Sequence, residues 1–408
     1  MKRLRTRWIP PAWKSVICCE REMMRLHERH RIVRTDSSLS TLQQRLKYAR
    51  WKLQDQACYF VENVPVWPST ELPAPTSARD DIFQYADCNG NPGLLDAICM
   101  RDNATYGLGL AKENILITNG AMHGLSLAFR HAKSHAAGSC SAICLAPVFG
   151  AVPALLSAEG YEVVYYHMQQ EYPGAAELLA LCRPDTRLIY LNFPHNPLGG
   201  IYPGAFMQAL VPALAERGIA LVLDMVYDGF IFGSEQLHSP FHEAEDFSSI
   251  YTVNSMSKNY GAPGLRVGWV TSSIENIEAM AGLVEIECVA VCTPAQTKAA
   301  SLIVRGNERL RRQVLGSRTV VHDFLRRTQA GYSELPPAGT QVFVDLPVDD
   351  VEEFADQVLG DFGLVLATAS NYSGVSGQYI RIPTSYPEHV TREALDLLSQ
   401  GLERYAGH

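Results

Sequence analysis

Between residues 85 and 310 the chain alternates short apolar runs with longer stretches of helical spacing. The runs are Ile115 to Thr118, Ala142 to Leu145, Glu162 to Tyr165, Leu188 to Leu191, Ala220 to Leu223, Tyr251 to Val253 and Val267 to Val270. Strands this short and this apolar suit burial on both faces, and helices between them supply the crossovers that make neighbours parallel. The expectation is an α/β fold: a large domain with a mostly parallel seven-stranded sheet between helices. After residue 311 the rhythm changes to helix (Arg311 to Ala330), strand (Gln341 to Asp345), helix (Val351 to Leu359), strand (Tyr379 to Ile382) and helix (Arg392 to Tyr405). That pattern predicts a smaller α+β domain. Residues 36–80 read as its N-terminal part, with helical spacing from Leu42 to Asp55 and a strand-like run from Cys58 to Val61. The boundaries are therefore a basic extension at 1–35, an N-terminal part of the small domain at 36–80, the large domain at 81–310 and the C-terminal part of the small domain at 311–408.

Composition removes several classes of function. A net charge of -8 and a pI near 5.9 argue against a nucleic-acid binder, which normally carries a basic domain. No apolar run approaches the roughly 20 residues that a membrane span requires, and no apolar signal core precedes the folded part, so a cytoplasmic protein is expected. The ten cysteines are scattered without a CxxC pair and read as reduced thiols, with no metal site. Cys288 and Cys292 read as two buried thiols on one helix. Residues 1–35 hold ten Lys or Arg, but Glu20, Glu22 and Glu28 count against a transit peptide. A solvated or partly helical arm is the plain reading, and an arm wrapping a partner subunit is the other.

The polar residues of interest collect where the predicted strands end, which is where ligands bind in open α/β sheets. The stretch Tyr251 to Trp269 reads YTVNSMSKNYGAPGLRVGW. It places Lys258 between Ser255 and Ser257 on one side and Arg266 on the other. An amine nucleophile beside hydroxyls and a guanidinium is the equipment that pyridoxal 5'-phosphate (PLP) needs for its aldehyde and its phosphate. After Ile115 to Thr118 comes Asn119-Gly120-Ala121-Met122, a small-residue turn opening a helix whose N-terminus favours an anion. Phe149 follows another strand, where it could lie on a flat cofactor ring or simply fill the core. The string Asn192-Phe193-Pro194-His195-Asn196-Pro197-Leu198-Gly199-Gly200 holds Asn196 in a rigid turn. Asp224 ends an apolar run, with Tyr227 three residues on. A carboxylate there asks for a cationic partner such as a protonated pyridine nitrogen, or serves as a helix N-cap. Arg381 lies inside an apolar strand, where it would meet a substrate carboxylate or an internal Asp or Glu.

These motifs together resemble the class I/II aminotransferases of PLP fold type I, across about 85 to 382 and most closely from Asn192 to Val270. The resemblance implies that Lys258 forms an internal aldimine and that Asp224 keeps the pyridine nitrogen protonated. It implies that Asn196 and Tyr227 bond the cofactor's phenolic oxygen. The phosphate would go to Gly120, Ala121, Met122, Ser255, Ser257 and Arg266, and Phe149 would stack on the ring. Tyr85 would reach the phosphate of a neighbouring subunit, which implies a homodimer with shared active sites. Arg381 would hold the α-carboxylate. The implied reaction moves an amino group between an L-amino acid and a 2-oxo acid, with no nucleic acid or membrane as partner.

The chain departs from the family pattern at Ala57-Cys58-Tyr59-Phe60-Val61-Glu62-Asn63-Val64-Pro65, where relatives carry a glycine against the substrate. Glu62 and Asn63 would stand there instead. A cleft-facing Glu62 suggests a cationic, arginine- or lysine-derived substrate in specialised metabolism; a Glu62 that only solvates a strand end is the alternative. The same fold also hosts lyases, decarboxylases, cyclases of the capreomycidine synthase kind and amino-acid oxidases. A transcription regulator built on this domain needs a helix-turn-helix segment longer than the 35-residue arm.

Overall fold

The structure, a computed structural model, describes residues 58–61, 63, 65, 85–134, 138–168, 172–233, 237–328 and 334–405. The expected extension at 1–35, the helix expected at Leu42 to Asp55 and Glu62 lie outside them. In chain order the elements are β1 (Cys58–Tyr59), α1 (Pro92–Tyr106), β2 (Ile115–Thr118), α2 (Ala121–Lys133), β3 (Cys140–Ala146), β4 (Val148–Phe149), α3 (Ala151–Ala158), β5 (Tyr161–His167), α4 (Ala175–Ala180), β6 (Thr186–Asn192), α5 (Gly204–Glu216), β7 (Ala220–Asp224), β8 (Ile250–Ser255), α6 (Met256–Asn259) and β9 (Gly268–Thr271). There follow α7 (Ile274–Cys288), α8 (Thr293–Arg305), α9 (Glu308–Arg327), β10 (Gln341–Asp345), α10 (Val351–Phe362), β11 (Leu364–Val365), β12 (Ala367–Thr368), β13 (Tyr372–Ser373), β14 (Tyr379–Pro383) and α11 (Glu388–Tyr405).

Seven strands form one sheet in the order β2-β9-β8-β7-β6-β3-β5, parallel from β8 to β5, with β9 reversed between β2 and β8. Period-two alternation explains how both faces are covered. On β3, Ala142 and Cys144 pack into one core with Val222 and Leu125, while Ile143 and Leu145 pack into another with Leu221 and Leu223. Helix α2 lies close on the first of these faces. A Cβ on Gly124 would come within 2.9 Å of Val270 Cγ2, so the glycine permits the approach.

A separate apolar core gathers the C-terminal elements: Val321 and Phe324 of α9, Val342 and Val344 of β10, Val358 of α10, Ile380 and Ile382 of β14 and Leu398 of α11. Phe60 completes it from the N-terminal side, and β1 pairs in parallel with β11. The N- and C-terminal segments thus build one smaller α+β unit, with β10, β14 and β12 forming its antiparallel sheet.

One local reading needs correction, and one pairing was not foreseen. The helix expected to carry both Cys288 and Cys292 stops at Cys288, because Val289 adopts φ 63°, a left-handed conformation that a β-branched residue rarely takes. Cys288 is only partly buried, and Cys292 is exposed at the start of α8. The short ladder pairing β4 with β13 has no periodic signal in either segment; it sets Phe149 opposite Tyr372.

Candidate active site

The carboxyl ends of β6, β7 and β8 bring the expected residues together. Register pairs Asn192 with Asp224, and Asp224 with Val253. Alternation turns Tyr190 and Asp224 to the same face, and the Tyr190 hydroxyl donates to Asp224 Oδ2 at 3.0 Å. The Val226 N–H donates to Asp224 Oδ1 at 3.2 Å, and Asn192 Nδ2 donates to the Asp224 carbonyl at 2.9 Å. Asp224 is 8% exposed. Burial pushes its carboxyl up to about 6, against the Val226 N–H, the Tyr190 hydroxyl and the charge of Lys258, which favour the ionised form. Among the described residues no cation lies within ion-pair distance of it, so the carboxylate is arranged for a cationic group from outside the chain.

Lys258 projects from α6, a single turn that Ser255 caps by accepting the Ser257 N–H at 2.9 Å. Its Nζ donates to Asn63 Oδ1 at 2.9 Å. Asn63 Nδ2 in turn donates to the Tyr227 hydroxyl and, at 3.1 Å, to Gln341 Oε1. Burial pushes the Tyr227 phenol well up, so it is a neutral hydroxyl at physiological pH. Burial likewise pulls His195 down to about 3, which keeps its ring neutral within the Asn-Pro loop.

An anion cradle forms where α2 begins. Gly120 (φ 78°) caps the helix, and Arg266 (φ 51°) packs its guanidinium against it. A Cβ on Gly120 would lie 2.5 Å from Arg266 Nη2, and one on Gly268 would lie 2.8 Å from the Ala121 nitrogen. Ser255 Oγ donates to Ser257 Oγ at 2.9 Å beside this turn. A helix N-terminus, two hydroxyls and a guanidinium around side-chain-free backbone fit a phosphate. With the buried Asp224 carboxylate and the Lys258 amine, the donor set fits PLP.

Arg381 (8% exposed) donates through Nη1 to the Tyr372 hydroxyl at 3.0 Å and through Nη2 to the Val61 carbonyl. Tyr372 then donates to Asn196 Oδ1 at 3.1 Å. Asn196 is itself fixed by its N–H donating to Asn192 Oδ1 at 2.8 Å. Phe149 is half-buried, partly packed on the core that contains Leu116 and Val222. Tyr85 is 88% exposed and far from being enclosed by its own chain.

Sequence reasoning passed over several residues that the fold makes central. Tyr190, Tyr372 and Gln341 carry no motif; only strand alternation and pairing reveal them. Behind α6, the Asp228 carboxylate accepts from Arg101 Nη2 at 2.6 Å and Asn259 Nδ2 at 2.5 Å on one oxygen. Its other oxygen accepts from the Tyr106 hydroxyl and, at 2.9 Å, from Asn254 Nδ2. Its place directly after Tyr227 was the available signal. A cavity of about 950 Å³ lies elsewhere, at the amino ends of β6 to β8, lined by His131, Arg187, Glu216 and Tyr251. It holds none of these groups.

This sheet, lysine turn and anion cradle define a PLP fold type I enzyme, and comparison narrows the class. The family model for aminotransferase class I and II matches residues 58–398, and the chain belongs to that family. It is 66% identical over 380 residues to the L-aspartate:5-guanidino-3-methyl-2-oxopentanoate transaminase of Pseudomonas syringae pv. syringae, covering 93% of this chain and 98% of that one. It is 37% identical to the 3-methylarginine biosynthesis aminotransferase ArgM of Streptomyces arginensis, covering 90% and 99%. The crystal structure of aspartate aminotransferase from Thermotoga maritima superposes with a TM-score of 0.79 at 22% identity, covering 90% of this chain and 97% of that one, a likeness of fold. The protein is a PLP-dependent aminotransferase acting between an amino acid and a 2-oxo acid. No described helix is long and apolar enough to cross a membrane.

Proposed function

We propose that this enzyme transfers the amino group of L-aspartate to 5-guanidino-3-methyl-2-oxopentanoate, giving oxaloacetate and the corresponding methylated arginine. The observation that carries this reading is the 66% identity along nearly the whole of a transaminase named for those two substrates. The relative named for 3-methylarginine biosynthesis supports the same guanidino chemistry.

The site residues take roles that their geometry supports. PLP, when bound, serves as the sink for the electron pair left when the substrate's Cα–H bond breaks. Lys258 anchors the cofactor and, as a free amine, takes and returns that proton. Asp224, with its pKa raised by burial and no cation of the described chain at ion-pair distance, stabilises a positive charge on the cofactor ring. Asn196 and Tyr227 hydrogen-bond the ring's oxygen. Ser255, Ser257, Arg266 and the backbone at Gly120, Ala121 and Met122 hold the phosphate, and Phe149 covers the ring. Arg381 grips the α-carboxylate common to both substrates through its planar fork. Glu62 is the chain's candidate partner for the guanidinium.

We read the enzyme as a homodimer in the cytoplasm. The exposure of Tyr85 (88%) and Ile286 (83%) supports burial against a second copy, with Tyr85 reaching the partner's phosphate. The eight described cysteines are all free, which supports a reducing compartment. Residues 81–310 form the cofactor domain in this reading, and 36–80 with 311–408 form the small one.

The test is turnover by the PLP-loaded enzyme with L-aspartate and the guanidino oxo acid, following oxaloacetate and the mass of the new amino acid. Preference for this acceptor over alkyl and aromatic 2-oxo acids is expected. Turnover of those acids alone would overturn the substrate assignment.

A further inference from the structure

Asn63 stands where the family pattern has a small residue against the substrate, and its contacts are with the reacting amine. It is 2% exposed, and its side chain touches Lys258 Nζ, Tyr227 and Gln341 together. Which end of the amide faces which neighbour decides what it can do, and the surroundings fix that orientation. The Thr340 backbone N–H, which can only donate, points at the Gln341 side-chain oxygen at 3.1 Å. The Thr340 hydroxyl lies 3.1 Å from the same oxygen. Gln341 therefore presents an acceptor, and the Asn63 group facing it must be the NH2. The Asn63 group facing Lys258 is then the carbonyl oxygen. The Asn63 main chain is held as well, since Thr340 Oγ1 gives its one proton to the Asn63 carbonyl at 2.9 Å.

An amide oxygen can only accept from an amine. It takes one N–H of Lys258 and turns the nitrogen's lone pair elsewhere, and it favours the ammonium form less than a carboxylate in its place would. The same amide donates to Tyr227, which keeps its own proton for another acceptor.

We propose that Asn63 is a catalytic residue of the transamination, resting on Lys258 as the base: its carbonyl oxygen holds one N–H of the Lys258 amine and so aims that amine's lone pair. In the step it serves, the substrate Cα–H bond breaks, the new N–H bond forms on Lys258, and the bonding pair stays with the substrate and its electron sink. Gln341 is the positioning residue behind it. Gln341 begins β10, and Phe343 on that strand lies opposite Arg381 on β14. The strand that orients Asn63 is thus paired with the strand that carries the carboxylate-binding arginine.

Three variants test this, each examined as PLP-loaded enzyme and as apoprotein. Asn63→Ala should lower kcat about 100-fold, within the range that positioned proton transfer supplies, while KM for the amino donor changes less than about threefold. Asn63→Asp keeps the shape and adds a charge. In the apoprotein it should move the pH midpoint for labelling of Lys258 by an amine-reactive sulfonate upward, and Asn63→Ala should slow or speed labelling without that upward move. Gln341→Leu should fall between wild type and Asn63→Ala in kcat, with KM unchanged. An equal fall in kcat and in the fraction of PLP-binding sites, with wild-type Lys258 labelling in both Asn63 variants, would mean a structural role and overturn the proposal. Lys258→Ala is the control on the reading beneath it: retained proton exchange at the substrate Cα in that variant would sink the lysine's role, whatever the Asn63 variants do.

Discussion

Gly120 and Arg266 are in such close approach that a single methyl group would separate them: a Cβ on Gly120 would lie 2.5 Å from Arg266 Nη2. The glycine also holds φ 78°, which an L side chain takes only with strain. Gly120→Ala should therefore cost about 1–3 kcal/mol locally and push the guanidinium out of the phosphate cradle. The expected result is at least a tenfold weaker PLP affinity, read by titrating the apoprotein with PLP, with the fold preserved by circular dichroism.

Asp224 gives the apoprotein a pH signature. Its folded pKa of about 6 is above the ordinary 3.8, so the folded state holds the proton more tightly than the unfolded chain. The group favours folding below about pH 4, and that contribution is lost as pH rises through about 6. A shift of roughly two units corresponds to about 3 kcal/mol. Asp224→Asn removes the titration. The apo variant should gain stability relative to apo wild type as pH rises from 4 to 6, then hold a constant margin above. Urea unfolding at a series of pH values measures this, and equal pH profiles for the two proteins would refute it. Loading with PLP should reverse the order, because only the carboxylate can meet a ring cation.

Asp228 is bonded by four donors, two of them on Asn254 and Asn259, which lie either side of Lys258. Asp228→Asn replaces an acceptor with an amide that has its own N–H groups to place. Breaking a buried charged hub of this kind costs on the order of 3 kcal/mol, since Asp102 still pairs with Arg101 at 2.6 Å. A lower unfolding midpoint in denaturant is expected, together with slower turnover. Tyr106→Phe, which removes one donor of the four, should cost about 1 kcal/mol.

Arg381→Ala should lower kcat/KM about 10²- to 10³-fold for both substrates, because the α-carboxylate is common to them. Arg381→Lys should recover little of that loss, since an ammonium cannot supply the planar fork. Steady-state kinetics with aspartate and with the guanidino oxo acid check it. A loss confined to one substrate would assign Arg381 to a side chain instead.

How much of this was readable beforehand follows from what each residue depends on. Asp224 ends an apolar run, and Lys258, Asn196 and Arg266 lie in the turns beside one, so local pattern is enough to single them out. The sheet was legible for the same reason: strands buried on both faces are apolar over their length. Asn63 was placed near the substrate but not against the lysine, because its partners Tyr227 and Gln341 are 164 and 278 residues away. Tyr372 reached the site through a two-residue ladder with Phe149, too short to have a period. The break after Cys288 turns on one backbone angle at Val289, and valine is a residue that gives no warning of it.

The Tyr372 hydroxyl has a single proton, and it goes to Asn196, the proposed cofactor contact; Arg381, the proposed substrate contact, binds only its lone pair. With those roles, two ligands are put in thermodynamic communication through one oxygen atom. If a substrate carboxylate draws the Arg381 charge toward itself, the phenol is left less polarised and its bond to Asn196 changes strength. Reciprocity then requires that whatever factor substrate binding applies to the hold on PLP, PLP applies to the hold on substrate. An aminotransferase must keep its cofactor through two half-reactions while releasing a product in each, and the size of that factor sets how nearly independent the two tasks are.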